Sequence, residues 1–488
     1  MRTQGKKLGL VVWALIAVLA LSACSQAGGK KNDALNNLDR DDSGSLKVAF
    51  FNEQAFYMQY GNAFQAMFPN VELSVVSTES VFNAEDPAAE LERIVKEQQP
   101  DVLLLSEDEY ASFAGKGLLY DLDAVVKQDQ FDLDSFLPSV IDLLKARGGG
   151  KLYGLSPSFA SKALYYNKDL FDKHGIPYPT DGMSWEEVMQ LAARFPVKKD
   201  GDDSLNGLFQ SSQTTDSFEL IRTIGEAKGL LYADTDAKTL SIDTPEWKSI
   251  FQSVIDGYKS GSISMPSEDG GMGGGGGVSM RVGGRAAFSI GPGSMKFMSG
   301  QAAMAIDGPM LMTMMGLSGG PVGAVTKGQS AVGSKTNNSP FKAVNWDIVT
   351  MPVDSSQPDV TGSLSLDNVF AINASSENLS AAWEFLKYAN GEQLAKTGSK
   401  SSPSLSARTA YKNEADGKNI DAFYTLGVNQ QSLLQELPEG FAGSFAKLAS
   451  EQIKKVVDGN QSVDEALGTI QSQGQGLLTQ AIVDAEQG

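Results

Sequence analysis

The sequence predicts an α/β fold, because short apolar strands alternate with helical segments in its N-terminal part. Three runs of β-branched and large apolar side chains predict buried strands: "LKVAFF" (46–51), "VELSVVS" (71–77) and "DVLLLS" (101–106). Two segments of helical character lie between them, each ended by a proline: "GNAFQAMF" (61–68) and "ELERIVKEQQ" (90–99). Strands that alternate with helices in this way favour parallel pairing.

Further helices are predicted from capping residues and from apolar side chains at helical spacing. Ser184 and Glu187 form a capping box, and Thr244 followed by Pro245 is a favoured helix start. A third helix is predicted from its apolar positions alone. The stripes that the three helices would bury are Val188, Leu191, Ala192 and Phe195; Trp247, Ile250, Phe251, Val254 and Tyr258; and Leu379, Ala382, Trp383 and Leu386.

The N-terminus has the pattern of a bacterial lipoprotein signal. Three basic residues precede an uncharged, mostly apolar stretch at 8–21, which is shorter than the about 20 residues needed to span a bilayer. Leu21-Ser22-Ala23-Cys24 follows and resembles a lipobox, so we expect cleavage after residue 23 and acylation of Cys24 with diacylglycerol and palmitate-type chains. Polar residues up to 45 predict a flexible tether. The expected location is the extracytoplasmic face of the cell membrane.

Charge and rare residues exclude several function classes. Without residues 1–23 the chain has 37 Lys and Arg against 59 Asp and Glu, a net charge of −22, which disfavours binding to nucleic acid or anionic lipid. Cys24 is the only cysteine and His174 the only histidine, so an intramolecular disulfide, a Cys cluster and a multi-His metal site are excluded. We expect no cofactor and no metal.

Several longer stretches resemble the extracellular solute-binding proteins (family 1) that feed ABC importers and are best known for binding sugars. The most specific is "ALYYNKDLFDKHGIP" (163–177) followed by "SWEE" (184–187), and next is "SGQAAMAIDGP" (299–309). The resemblance covers roughly 46–478. Weaker matches include "FPNVELSVVS", "WDIVTMPV" and "NVFAINASSENLSAAWEFLKYANGEQ".

The resemblance implies a two-lobed periplasmic-binding-protein-like fold of type II, with a hinge and a ligand cleft between the lobes. It assigns 46–157 plus 306–362 to the first lobe and 158–305 plus 363–488 to the second, with "MAIDGP" as one crossing between them. It also implies a small-molecule ligand, most often a carbohydrate, an ABC permease as partner, and a monomer that closes on its ligand without covalent chemistry.

The predicted ligand site consists of residues at strand ends, where ligands bind in open α/β sheets. Carboxylates and amides hydrogen-bond to sugar hydroxyls, and aromatic faces pack on C–H surfaces. Many sugar-binding relatives have Trp or Tyr at the position of Met310, so this chain departs from their pattern. The predicted site residues are Phe51, Asn52, Glu53, Ser106, Glu107, Ser156, Phe159, Asp307, Met310, Ser365, Asp367 and Asn368.

Other interpretations of single motifs are weaker. Acidic turns at 39–46 and 200–206 imitate the start of a calcium loop, but the first has Phe50 where a bidentate Glu is required. Ser-x-x-Lys at 444–447 follows Lys-Thr-Gly at 396–398, the reverse of the order in penicillin-binding enzymes, so we predict no enzyme. The glycine-rich segment 269–293 is interpreted as an inserted surface loop or a partner contact.

A function of another class is compatible with these residues. A ligand-sensing or interaction lipoprotein could keep the same fold and signal to a membrane partner. The missing aromatic at Met310 and the glycine-rich insert leave this alternative open.

Overall fold

The computed structural model describes most of the chain after the N-terminal segment. The described ranges are 38–197, 205–210, 216–235, 237–266, 278–282, 285–290, 292–318, 344–398, 404–413, 417–429, 437–438 and 440–487.

The strands run in chain order from β1 to β18. They are β1 (Gly44–Phe50), β2 (Val71–Ser77), β3 (Val102–Leu105), β4 (Gly154–Leu155), β5 (Ser158–Ala160), β6 (Ala163–Asn167), β7 (Asn206–Gln210), β8 (Ala233–Asp234), β9 (Thr239–Leu240), β10 (Val278–Val282), β11 (Arg285–Ile290), β12 (Ala302–Asp307), β13 (Trp346–Thr350), β14 (Val360–Thr361), β15 (Ser365–Leu366), β16 (Val369–Ile372), β17 (Leu405–Ser406) and β18 (Gly427–Val428).

The α-helices are numbered in the same way. They are α1 (Glu53–Phe56), α2 (Asn62–Met67), α3 (Pro87–Gln98), α4 (Glu107–Gly115), α5 (Asp123–Gln128), α6 (Pro138–Arg147), α7 (Lys168–His174), α8 (Trp185–Ala192), α9 (Glu219–Ala227), α10 (Pro245–Ser260), α11 (Pro292–Met298), α12 (Pro309–Ser318), α13 (Leu379–Ala389), α14 (Glu392–Gly398), α15 (Phe441–Val457) and α16 (Val463–Gln487). A π-helical turn, Tyr57–Gly61, joins α1 to α2, and 3₁₀ turns lie at Glu79–Asn83, Thr409–Tyr411 and Ile420–Phe423.

The predicted N-terminal strands and the capped helices are confirmed. β2 and β3 lie in their apolar runs, whereas β1 begins at Gly44, two residues earlier than predicted and within the segment predicted to be a tether. β1 pairs in parallel with both of the others. Ser184 caps α8 through the capping box with Glu187, and Thr244 caps α10 with Pro245 at its first position. The predicted stripes are buried except for Leu379, which is partly buried.

The first large sheet is mixed, not all-parallel. Its strand order is β2-β1-β3-β16-β4, and β16 runs antiparallel to both β3 and β4. Aromatic side chains of α1, α2 and α13 cover it. The ring of Phe385 on α13 lies 5.8 Å from Phe56, 5.3 Å from Phe64 and 5.7 Å from Phe370 of β16. The helix α13 therefore belongs to the core of the first sheet.

The second large sheet has the order β13-β6-β12-β7, in which only β12 and β7 pair in parallel. The helices α8, α9 and α10 share a core with the C-terminal helices α15 and α16 against this sheet. Leu164 and Leu208 of the strands, Trp247 of α10, Phe445 of α15 and Leu478 of α16 all lie in that core. The C-terminal helices therefore complete the core of the second sheet.

A small sheet, β15-β5-β17, lies where the chain passes between the two large sheets. β5 connects β4 of the first sheet to β6 of the second, and β15 lies between β13 of the second sheet and β16 of the first. β17 follows α13 and α14 and precedes α15 and α16. Since each strand of the small sheet carries the chain from one core to the other, we call these strands and their flanking residues the crossing segments.

The strand pairing differs from the predicted division of the chain. β13 lies in the range 306–362, assigned to the first lobe, yet it pairs with β6 of the second sheet. β16 lies in the range 363–488, assigned to the second lobe, yet it pairs with β3 and β4 of the first sheet. β12 and β13 occupy the two edges of β6 and satisfy its backbone groups on both sides. For this reason both strands belong to the second sheet. The chain passes from the second sheet to the first after Thr350, where β13 ends, and not at "MAIDGP".

The glycine-rich segment 269–293 is described only from 278 onward, and there it differs from the predicted loop. β10 and β11 pair antiparallel, with Val278 opposite Ile290 and an irregularity after Met280. Residues 269–277, 283–284 and 291 of this segment lie outside the described part.

Some predictions concern residues that the structure does not describe. The signal segment 1–23, Cys24 and positions 200–204 of the second calcium-like turn lie outside the described ranges. In the ranges that are described, no helix combines the length and the apolar character needed to cross a membrane.

The contact between α9 and α10 depends on a glycine. A Cβ atom at Gly225 would lie 2.1 Å from the indole ring of Trp247, which is buried. We expect Gly225→Ala to lower the free energy of unfolding by about 1–3 kcal/mol, because it overpacks this contact. Denaturant unfolding followed by circular dichroism measures the change.

The matched control is Gly468→Ala in α16, where the glycine is exposed and an added Cβ meets nothing within 4 Å. Here we expect stabilisation of about 0.5–1 kcal/mol from the better helix former. Equal effects of the two substitutions would contradict the packing explanation.

Candidate functional site

The strand registers bring most of the predicted site residues to one edge of the first sheet. β1, β2 and β3 are parallel, so the residues that follow them, Phe51 and Ser106 among them, lie at the same edge. β16 is antiparallel, with Val369 opposite Leu105, so Asn368 before it also lies there. Ser156, which follows β4, reaches this edge by the same argument.

The second sheet has a corresponding edge. Asp307 at the end of β12 lies opposite Ala163, the first residue of β6, and Gln210 ends the parallel strand β7 beside Ile306. Residues 156–162 join the edges of the two sheets through β5. Seven residues span about 25 Å at most, so the length of this segment limits how far apart the two edges lie.

Two predicted ligand residues are helix caps. The side chain of Asn52 accepts a hydrogen bond from the Ala55 N–H (2.9 Å) and caps α1. Ser106 caps α4 in a capping box, in which Glu109 accepts from the Ser106 N–H (2.7 Å). Their oxygens therefore already satisfy backbone groups of the first helical turn.

Glu107 is bound within the protein through both carboxylate oxygens. Oε1 lies 2.6 Å from Nε of Arg147, and Oε2 accepts a hydrogen bond from the Leu366 N–H (2.8 Å). The two ion-pair side chains are only 19% and 13% exposed, so their interaction is weakly screened. Glu107 thus ties α4 to the end of α6 and to the crossing segment at β15.

Ser156 and Phe159 are completely buried in the first crossing segment. Oγ of Ser156 lies 2.7 Å from the carbonyl oxygen of Asn368 and 2.5 Å from that of Ser158. The ring of Phe159 packs edge-to-face on Tyr424 at 5.2 Å. In this arrangement both side chains hold the crossing segments together and face the interior.

Asp367 is also an interior group. Burial raises the pKa of its carboxyl, and hydrogen bonds from Ser404 and Ser158 act against that rise. Its Oδ2 is buried and has no hydrogen-bond partner among the residues that the structure describes. Ser365, two residues earlier in β15, is exposed.

The edge of the first sheet also has exposed groups. Glu53 is exposed in the first turn of α1, and Phe51 is partly exposed. The Phe51 ring packs edge-to-face at 5.4 Å on Phe82, which lies in the 3₁₀ turn after β2 and is 41% exposed. Sequence reasoning missed Phe82, because an isolated Phe in a short polar segment does not reveal whether its ring is exposed. The two rings give this edge an aromatic surface.

Asp307 and Met310 are partly exposed at the edge of the second sheet. Asp307 accepts hydrogen bonds from Ser294 Oγ (2.5 Å) and from the Gly308 N–H (2.7 Å). Tyr165 is buried beneath and donates to the Gly308 carbonyl (2.7 Å). Burial and then the nearby Asp307 carboxylate raise the pKa of Tyr165, so it remains a hydrogen-bond donor.

Lys162 adds a positive charge beside this edge. It directly precedes β6, and its Nζ lies 3.5 Å from Oε1 of Glu219 at the start of α9. Within the described ranges, no group of three or more His, Cys, Asp or Glu residues is arranged to hold a metal ion. The arrangement can bind a polar solute through hydrogen bonds and aromatic contact.

Two α/β sheets, joined by crossing segments and bearing polar groups at the edges that these segments connect, define a two-lobed solute-binding protein. The family model of bacterial extracellular solute-binding proteins matches residues 59–424. The chain belongs to this family.

Similar solved structures support the fold over nearly the whole chain. A sugar transporter from Rhizobium etli in an open conformation aligns with a TM-score of 0.61 at 19% identity, covering 88% of this chain and 99% of that one. The sugar-binding protein MalE from Xanthomonas citri aligns with a TM-score of 0.61 at 17% identity, covering 91% and 100%.

Among curated relatives, one from Brucella abortus (strain 2308) is named only as a binding protein, without a ligand. It is 32% identical over 152 residues, which are 30% of this chain and 33% of the relative. The chain thus matches about a third of the length of the first curated relatives.

The contacts of Glu107 and the exposure of Glu53 predict opposite behaviour of two neighbouring carboxylates. Glu107→Ala removes the carboxylate that contacts both Arg147 and the Leu366 N–H, so we expect the free energy of unfolding to fall by about 1–3 kcal/mol. Glu53→Ala removes an exposed side chain and should change it by less than about 0.5 kcal/mol. Urea unfolding of both variants checks this difference. A stable Glu107→Ala protein would show that these contacts contribute little.

Proposed function

We propose that this protein captures a carbohydrate or oligosaccharide between the carboxyl edges of its two large sheets and delivers it to an ABC permease. The observation that carries the proposal is the joining of both edges by the same crossing segments, with exposed Glu53 and an aromatic pair on the first sheet and the partly exposed Asp307 on the second. The family membership and the sugar-binding names of the two solved structures support it.

The proposed ligand contacts are the exposed and partly exposed groups. Glu53 and Asp307 accept hydrogen bonds from hydroxyl groups, and Phe51 with Phe82 packs against the C–H face of a sugar ring. The aromatic surface that is missing at Met310 on the second sheet is thereby supplied from the first sheet. The protein acts as a binding protein without covalent chemistry.

The same proposal includes membrane attachment. Acylated Cys24 anchors the chain on the extracytoplasmic face, and the polar segment between Cys24 and β1, which begins at Gly44, lets the binding domain reach the permease. The lipobox-like sequence before Cys24 supports this part.

A thermal-shift screen of the full chain in detergent tests the ligand class. The panel contains mono- and oligosaccharides, with amino acids, peptides and polyamines as controls. A ligand at 100 times its dissociation constant stabilises the protein by about 2.7 kcal/mol, which raises the melting temperature by several degrees. A saturable shift with one sugar class is the expected result. A shift with a non-sugar alone would reject the carbohydrate, and no shift at all would favour the ligand-sensing or interaction lipoprotein.

The aromatic surface gives a residue-level prediction. Phe82→Ala should weaken binding of the sugar found in the screen by about tenfold or more, because burying one such ring contributes about 1.5–3 kcal/mol. Phe82→Tyr keeps the ring and should restore most of the affinity. Isothermal titration calorimetry gives both values.

Met67→Ala is the control, since Met67 is 42% exposed at the end of α2, toward the opposite edge of the first sheet. We expect unchanged affinity in this variant. If Phe82→Ala also binds normally, the ligand does not contact the Phe51–Phe82 pair.

A further inference from the structure

The carboxyl group of Asp367 contacts all three crossing segments. Asp367 itself lies between β15 and β16, in the second segment. Hydrogen bonds link it to Ser158 in β5, the first segment, and to Ser404 directly before β17, the third. A change in the relative position of the two large sheets must alter the backbone of these segments, because they carry the chain between the two cores.

This carboxyl is not fully satisfied in the present arrangement. Within the described ranges Oδ2 is buried without a hydrogen-bond partner, and burial raises the pKa of the group. A buried, ionised oxygen without a donor is costly in free energy, whereas a protonated carboxyl avoids most of that cost. The ionised form therefore destabilises this arrangement relative to one that hydrates Oδ2.

Three charged side chains on or against the crossing segments have other partners. Lys162 on the first segment pairs with Glu219. Glu107, which binds the second segment, pairs with Arg147. Arg408 on the third segment donates from Nε to the carbonyl of Asn390 (2.7 Å) and stacks over an aromatic ring. The carboxyl thus has two hydroxyl neighbours and, in the described part of the chain, no ion pair.

We propose that Asp367 is the positioning residue of the hinge, and that its charge sets the balance between two arrangements of the lobes. This inference rests on the proposed function, since it requires lobes that move to capture a ligand. It gives the protein a conformational equilibrium that depends on pH even without ligand.

The direction of the pH effect follows from the raised pKa. The present arrangement binds the proton more tightly than an arrangement with a hydrated carboxyl, so lowering the pH favours it. Raising the pH through this pKa favours the other arrangement. With one proton involved, the ratio of the two populations changes by up to about tenfold per pH unit.

Electron-electron distance measurements between two spin labels test the proposal without ligand. The full chain carries Cys24→Ser, with labels at Met67→Cys in α2 and Ser253→Cys in α10, which are exposed positions on the two cores. Between about pH 4 and pH 8, the distance distribution should change in this background. Added Asp367→Asn should keep the low-pH distribution throughout, because the amide is a neutral isostere.

Two further variants keep the test decisive. Ser158→Ala removes a donor to the ionised carboxyl, so the midpoint of the change should move to higher pH. Asp359→Asn removes an exposed carboxyl before the second crossing segment and should behave like the parent. Circular dichroism confirms the fold of each variant, and Ser158→Ala carries the test if Asp367→Asn does not fold.

Two results would overturn the proposal: a distance distribution independent of pH in the parent, or a pH dependence that persists in Asp367→Asn. Because no ligand is present, a failed ligand screen would reject the proposed function and leave this result standing. Conversely, if a sugar binds but the distance between the two spin labels does not depend on pH, only the role of Asp367 is rejected.

Discussion

The structure depends on the backbone pairing of three short segments that carry the chain between two separate cores. A buried crossing must satisfy its N–H and C=O groups, and the small sheet achieves this because β5 pairs with β15 on one side and β17 on the other. The same segments hold Ser156, which is fully buried, and Asp367, whose Oδ2 is buried. The polar groups that fix the crossings therefore lie between the two sheet edges that we propose to bind the ligand.

Local sequence patterns were sufficient to predict individual strands and helices, but not to predict how these elements assemble into two sheets. The apolar runs of β1 to β3 and the caps Ser184 and Thr244 are properties of a few neighbouring residues, and all appear as predicted. The position of β16 in the first sheet, in contrast, could not be predicted from neighbouring residues. Its residues are uniformly buried, as expected for a central strand, but no local feature selects β3 and β4 as its partners across more than two hundred residues. The resemblance predicted the two-lobed fold correctly. It assigned β13 to the first lobe and β16 to the second, whereas β13 lies in the second sheet and β16 in the first.

The same limit applies to the candidate site. A polar residue at a strand end can cap the next helix, pair with a distant element or face a ligand, and the three roles use the same residue types. The first role is readable from sequence, since "SEDE" at 106–109 has the capping-box pattern. The second is not, because Glu107 finds Arg147 and Leu366 only through the fold. Exposure separates Glu53 and Phe82 from these interior groups, and exposure is a property of the assembled molecule.

Interior polar groups hold the crossing segments together, and exposed polar groups are the proposed ligand contacts. This separation has a thermodynamic consequence for ligand capture. A ligand shifts a lobe equilibrium only by the difference between its contacts in the two arrangements, so contacts made by one sheet alone contribute affinity without closure. Glu53 and Phe82 lie on the first sheet and Asp307 on the second, and a ligand that touches both sets binds better when the edges approach. The interior groups set the free energy against which that gain is measured. In the proposal for Asp367, the buried Oδ2 raises the free energy of the present arrangement, so the charge of this one group contributes to the balance that a ligand must shift.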